Sequence, residues 1–233
     1  MAHRPLSSSI LYLLLSILSL LPSCTLIGIG AQALPPATIV PQYKGFAGQT
    51  VGMMVWADRG MRIEWEFIQL DLANAIQSKL DAAANPPARP GKKKGPRTKV
   101  KELQGTKFPI IPASIIRFQQ DHPEIDGQPI TEIAPRLGVS RLIYVEIEEF
   151  DTRPDGAVEL FRGDANVTLR VVEVAPDGTG KVAYEENDVR ATFPPKSPKE
   201  GRPSIGDRRI YVGLIDALGD AIAKRFIPYP EEE

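Results

Sequence analysis

Arg141-Leu142-Ile143-Tyr144-Val145-Glu146-Ile147-Glu148-Glu149-Phe150 is the stretch on which the fold turns. Leu142, Ile143, Tyr144, Val145 and Ile147 make an apolar run that meets Glu146, Glu148 and Glu149 at its end. That makes it the clearest strand in the chain. Asp155-Gly156 follows as a turn signal, and residues 158–174 supply an antiparallel partner. Asp177-Gly178 turns the chain again into residues 181–192, which completes a three-stranded meander.

Working upstream, Val51-Gly52-Met53-Met54-Val55-Trp56-Ala57 is short and apolar enough to be a further buried strand, broken by Asp58-Arg59-Gly60. Residues 63–84 then read as a helix. Phe67, Leu70, Ala73, Ile76 and Leu80 recur at the spacing of one helix face, and Pro86 stops the run. Phe108-Pro109-Ile110-Ile111 predicts a short strand. A helix starting at Pro112 or Ser114 runs through Ile115, Ile116 and Phe118 to the neighbourhood of His122-Pro123. Ile130, Ile133, Ala134 and Leu137 mark further helical turns closed by Gly138. Downstream, residues 210–226 place Leu214, Leu218, Ile222 and Phe226 along one stripe, with Ile215 beside it. The order predicts an α+β fold, a two-layer sandwich with helices on one face of a mixed, mostly antiparallel sheet.

The amino-terminal segment carries a different message. His3 and Arg4 precede a nearly unbroken apolar run over residues 11–21, and Leu21-Pro22-Ser23-Cys24 follows. This is the layout of a secretory signal peptide. The run is too short for a transmembrane helix, which needs roughly 20 apolar residues. Cys24 is the only cysteine. The Leu21-Pro22-Ser23-Cys24 stretch resembles the lipobox of bacterial lipoproteins, although Pro22 stands where Ala, Ser, Thr or a β-branched residue is usual. The resemblance implies that Cys24 is lipidated on sulfur and becomes the first residue of the mature chain. An ordinary signal peptide cut near Ala31 or Ala33, or an uncleaved anchor helix, are the alternatives.

Three joints divide the rest. Residues 25–49 hold Pro35, Pro36 and Pro41 with little periodicity and read, with Cys24, as an anchor and flexible tether. Residues 85–107 form a disordered basic insert. It contains Pro86, Pro87, Pro90 and Gly91, and the cations Arg89, Lys92, Lys93, Lys94, Arg97, Lys99 and Lys101. Residues 193–203 read as an exposed, proline-rich loop. The predicted organisation is therefore a signal peptide over 1–23, anchor and tether over 24–49, and one α/β envelope domain over 50–228.

The passage Glu132-Ile133-Ala134-Pro135-Arg136-Leu137-Gly138-Val139-Ser140-Arg141, running into the strand at Leu142, carries a second resemblance. It is similar to the helix, Leu-Gly-Val, apolar-strand passage of a group of envelope proteins. The group includes the curli-secretion lipoprotein, the lipoprotein activators of penicillin-binding proteins and the amino-terminal domain of the Tol-Pal translocation protein. The resemblance implies a small α/β domain that binds other envelope proteins and brings no catalytic motif with it.

The residues themselves point the same way. Once Cys24 is set aside as the lipidation site, His122 is the one histidine or cysteine left to a mature chain, so a zinc site of those residues is not expected. His122 before Pro123 reads as a helix-end residue. Nucleophile-elbow, phosphate-loop and His-Glu-x-x-His motifs are absent, so neither an enzyme nor a cofactor is expected. Glu146 and Glu148 share one strand face, where Arg162 and Arg170 on the next strand offer ion pairs. Trp56 and Trp65 read as core or rim packing. The net charge of −1 and the lack of aromatics among the basic residues argue against nucleic acid. Arg89, Lys92, Lys93, Lys94, Arg97, Lys99 and Lys101 form the one strong charge feature, suited to anionic headgroups or an acidic partner surface. The function expected is a non-catalytic binding or scaffolding protein, held to the cell or outer membrane by its lipid and facing the periplasm. A periplasmic small-ligand or lipid carrier is the alternative, with a hydrolase behind it.

Overall fold

The computed structural model describes residues 38–86, 100–154, 159–196, 198–203 and 206–231. Two units emerge. The smaller, residues 1–39 and 230–233, is described over a two-residue strand, β1 (Thr38–Ile39), and the chain end, with β1 in a two-stranded sheet. The larger, Val40–Tyr229, carries the domain.

Its first strand is β2 (Val51–Ala57), followed by helix α1 (Arg59–Glu64) and helix α2 (Ile68–Ala84). Helix α3 (Pro112–Asp121) and the short α4 (Ile130–Ile133) come next. Strands β3 (Arg141–Asp151), β4 (Gly163–Val174) and β5 (Gly180–Phe193) then precede helix α5 (Asp207–Ala223) and β6 (Tyr229–Pro230). The main sheet runs β2-β3-β4-β5, with β2 parallel to β3 and the other pairs antiparallel. The α+β fold and the mixed, mostly antiparallel sheet are as the sequence predicts.

Side-chain alternation sorts the sheet into two faces. Val51, Met53, Val55 and Ala57 of β2, with Ile143, Val145 and Ile147 of β3 and Val167, Leu169 and Val171 of β4, face the main core. Helices α2 and α5 close that core with Ile68, Leu72, Ile76 and Leu80, and Leu214, Leu218 and Ile222. Lys79 reaches from α2 to Asp216 and Asp220 of α5, at 2.6 and 2.7 Å. The alternate residues Met54 and Leu142 face a smaller cluster made with Ile115, Ile125, Ile133 and Val139. The two long helices thus lie on one face, as expected, and the short helical segments add cover over part of the other. Gly180 marks how closely they approach, since a Cβ there would lie 2.1 Å from the Thr131 carbonyl oxygen.

The free edge of β2 is blocked by side chains. Gln69 Nε2 and Gln119 Nε2 both donate to the Val55 carbonyl, at 2.7 and 3.1 Å, which leaves it unavailable for strand pairing.

Several boundaries differ from the sequence reading. The helix expected over 63–84 is two helices, broken around Trp65. The partner strand begins at Gly163, not 158, and no strand forms over 108–111; Lys107 alone bridges Thr50. Residues 87–99 of the basic insert lie outside the described residues. Its end does not match a disordered segment, because residues 101–103 form a 3₁₀ turn with Leu103 fully buried.

The tether is shorter than expected. The larger unit starts at Val40, and Tyr43 and Phe46 are buried in the main core. Gln42 and Tyr43 donate their backbone N–H groups to the Arg225 carbonyl, at 2.9 and 3.2 Å. The Arg225 guanidinium grips Glu186 through Nε and Nη2, at 3.0 and 2.8 Å. That hydrogen bonding holds the Glu186 carboxyl below its ordinary range. A depressed carboxyl stabilises the fold above its unfolded pKa, about 4.3 for Glu, and the gain is lost as pH falls through the folded value. Urea unfolding of the native protein and of Arg225→Met is therefore expected to differ at pH 7 and to converge below about pH 4. A gap that persists unchanged down to pH 3 would show that the pair contributes nothing through charge.

Candidate binding groove

The break between the first two helices builds the candidate site. Asp58 caps α1 by accepting from the Met61 N–H at 2.9 Å, and the helix ends after six residues at Trp65, whose N–H reaches Met61 O at 2.8 Å. Ile68 N–H then donates to Trp65 O at 3.0 Å, and Phe67 stands at the N-cap of α2 without a side-chain capping bond. Trp65-Glu66-Phe67 is an elbow. Once α2 starts at Ile68, its inward stripe is Ile68, Leu72, Ile76 and Leu80, spaced by four, and Leu70 and Phe67 fall off it. Phe67, expected in the core, is 58% exposed.

Trp65 turns the other way. It stacks on Tyr211 of α5 with ring centroids 5.3 Å apart and an interplanar angle of 23°. Phe150 of β3 sits edge-on to both rings, at 5.8 and 5.6 Å. Such aromatic pairs contribute about 0.5–1.5 kcal/mol beyond their area. Tyr211 Oη donates to Asp71 Oδ2 at 2.8 Å. Burial, reinforced by that carboxylate, pushes the phenol pKa up, so Tyr211 stays a neutral donor.

The base of α5 is pinned beside this trio. Asp207 accepts from Thr152 Oγ1 at 3.0 Å and is clasped by Arg153, which holds its carboxyl below the ordinary range. The result is a groove of about 350 Å³ lined by Glu64, Trp65, Glu66, Phe67, Asp71, Asp207, Arg208 and Tyr211. Glu64 and Glu66 are exposed and form no hydrogen bond or ion pair with any described residue. The groove is aromatic on its floor, and its lining holds four carboxylates, of which Glu64 and Glu66 are exposed at the rim, against one cation, Arg208. No serine, cysteine or histidine lines it. Its chemistry is that of holding a flat or apolar group beside a cation.

Other residues singled out from the sequence lie elsewhere. Leu21, Pro22, Ser23 and Cys24, and Arg89, Lys92, Lys93, Lys94, Arg97 and Lys99, fall outside the described residues. Lys101 is exposed on its 3₁₀ turn. Trp56 is half-buried and donates to Asp126 at 3.3 Å, away from the groove. The expected cross-strand pairing centres on Arg170, which binds Glu146 at 2.9 Å and Glu185 at 2.8 Å. Glu148 instead accepts from Asn166 and Thr168 where the β3–β4 register shifts, and Arg162 pairs with Asp164 at 3.0 Å. His122 caps the end of α3 and contacts Glu124 at 3.0 Å, in keeping with a helix-end role. Among the described residues no group of three or more His, Cys, Asp or Glu side chains is placed to hold a metal, and no helix is long and apolar enough to cross a membrane.

No protein-family model matches the chain, and no curated protein matches it significantly. Among solved structures, the PelC dodecamer from Paraburkholderia phytofirmans aligns at 8% identity with a TM-score of 0.42, covering 82% of this chain and 96% of that one. The hypothetical protein CT253 from Chlamydia trachomatis aligns at 16% identity with the same TM-score, covering 76% of this chain and 95% of its own.

Proposed function

We propose that this chain is a lipid-anchored, extracytoplasmic binding protein of the bacterial cell envelope, working by holding a partner and not by catalysis. The observation that carries the binding role is the exposed Phe67 beside the stacked Trp65–Tyr211 pair, in a groove edged by free carboxylates. A large aromatic left in water next to a rigid aromatic floor is the anatomy of an interaction hot spot. The anchor and the periplasmic side of the membrane are proposed on the strength of the leader-like segment and Cys24. The partner on this reading is another envelope protein. The groove volume also reaches the lower limit for small-molecule sites, roughly 300 Å³, which keeps a carrier role as the second reading.

Intact mass and membrane partitioning test the anchor, on the native sequence and on Cys24→Ala expressed in a bacterium. The expected result is a native chain that begins at an acylated Cys24 and stays with the membrane, and a variant that is unprocessed or released. Loss of the leader at a later alanine in both forms, with both soluble, would remove the anchor from the proposal. A photo-crosslinking side chain placed at Phe67 tests the groove, and its capture of a defined envelope protein is the expected outcome.

A further inference from the structure

The groove sets conditions on its occupant. Its aromatic floor suits rigid, flat apolar groups, and proline in an extended, preformed helix is the standard solution for aromatic grooves. The unpaired Glu64 and Glu66 at its rim call for cations next to those prolines. This chain contains such a segment in Pro86-Pro87-Ala88-Arg89-Pro90-Gly91-Lys92-Lys93-Lys94-Gly95-Pro96-Arg97. Pro87 and Pro90 stand at Pro-x-x-Pro spacing, with Arg89 between them and Lys92 just beyond. We propose that the groove of one copy receives the proline- and arginine-rich segment, residues 87–97, of a second copy.

Distance keeps the Pro-x-x-Pro unit, though not the whole segment, from the groove of its own chain. The groove sits at the start of α2, and Pro86 follows its last turn, since Asn85 still donates to Asp81 O at 2.7 Å. Helix α2 has 17 residues, which at 1.5 Å each separates the two ends by about 25 Å. Pro87 is bonded to Pro86, and its Cα lies within about 4 Å of that of Pro86 by covalent geometry. Pro90 reaches at most about 14 Å from Pro86 even fully extended. The Pro-x-x-Pro unit therefore cannot enter the groove of its own chain. Docking in trans also sets the basic insert against the acidic rim, which relieves the repulsion within each. This inference rests on the groove being a binding site.

Full-length protein in detergent, followed by sedimentation velocity over a range of concentrations, tests it. The native chain is expected to self-associate, and more weakly as salt is raised. Phe67→Ser, in the groove, and the triple variant Arg89→Glu, Lys93→Glu, Arg97→Glu, in the segment, are each expected to weaken association by about tenfold or more. An equimolar mixture of the two is expected to recover association, because one variant keeps an intact segment and the other an intact groove. A native chain that stays monomeric, variants that associate like the native chain, or a mixture no stronger than its components would each overturn the proposal. Capture of a different envelope protein at position 67 without self-association would overturn it too, while leaving the groove a binding site. Failure of both would remove the groove itself.

Discussion

Replacing Phe226 with Ala is expected to lower the unfolding free energy by about 3–5 kcal/mol. In a unit of this size that corresponds to a fall in Tm of roughly 10 °C. Phe226 is fully buried in the turn that follows α5. Its ring meets Phe46 at 5.0 Å and Tyr43 at 6.3 Å, both edge-on, with Tyr184 of β5 at 6.4 Å. Those partners come from the segment leading into β2 and from the outermost strand, while Phe226 itself follows the last helix. Removing the ring therefore opens a cavity where three distant pieces of chain converge, and none of them can collapse without moving the others. The check is urea unfolding of the full-length protein. A loss under about 1 kcal/mol would mean that the site refills and that the segment from Val40 is held by its Arg225 hydrogen bonds alone.

That cluster shows where the sequence is legible and where it is not. The meander was readable because the residues of β3 and β4 alternate or run apolar, and Asp177-Gly178 marks the turn between β4 and β5, while Asp155-Gly156 lies outside the described residues. The α5 stripe was readable for the same reason, and even Phe226 was placed on it, although the helix ends at Ala223. Tyr43 and Phe46 were not. They sit in a proline-bearing stretch without helical or strand period, and their burial depends on tertiary partners more than a hundred residues away in sequence. Helix α2 failed more subtly. Phe67-Leu70-Ala73-Ile76-Leu80 and Ile68-Leu72-Ile76-Leu80 both fit one face of a helix, and the elbow at Trp65 decides between them. The strict spacing of four in the second set was the available signal. Choosing the first hid Phe67 in the core and concealed the groove, whose floor also needs Tyr211 from the other end of the chain.

The groove can be separated from the core beneath it by two substitutions two residues apart. Trp65→Ala removes a ring wedged between Tyr211 and Phe150 and is expected to cost about 3 kcal/mol of stability together with any binding. Phe67→Ser removes a ring that is 58% exposed. Its stability effect is expected to stay within about 0.5 kcal/mol, as for surface positions generally. Its effect on binding is expected to be at least about tenfold, because an aromatic at the centre of a contact contributes far more there than in the free protein. Fluorescence of the full-length Trp56→Phe protein, where Trp65 is the remaining indole, titrated with a synthetic peptide of residues 86–97, reads the binding directly. Urea unfolding reads the stability of the same samples. If Phe67→Ser unfolds the domain, the ring is structural and the groove loses its claim. If it binds the peptide as well as the native protein does, docking of the segment in the groove is overturned and the exposed ring has some other task. Only a stable domain with a tenfold weaker titration fits a side chain kept in water for a partner.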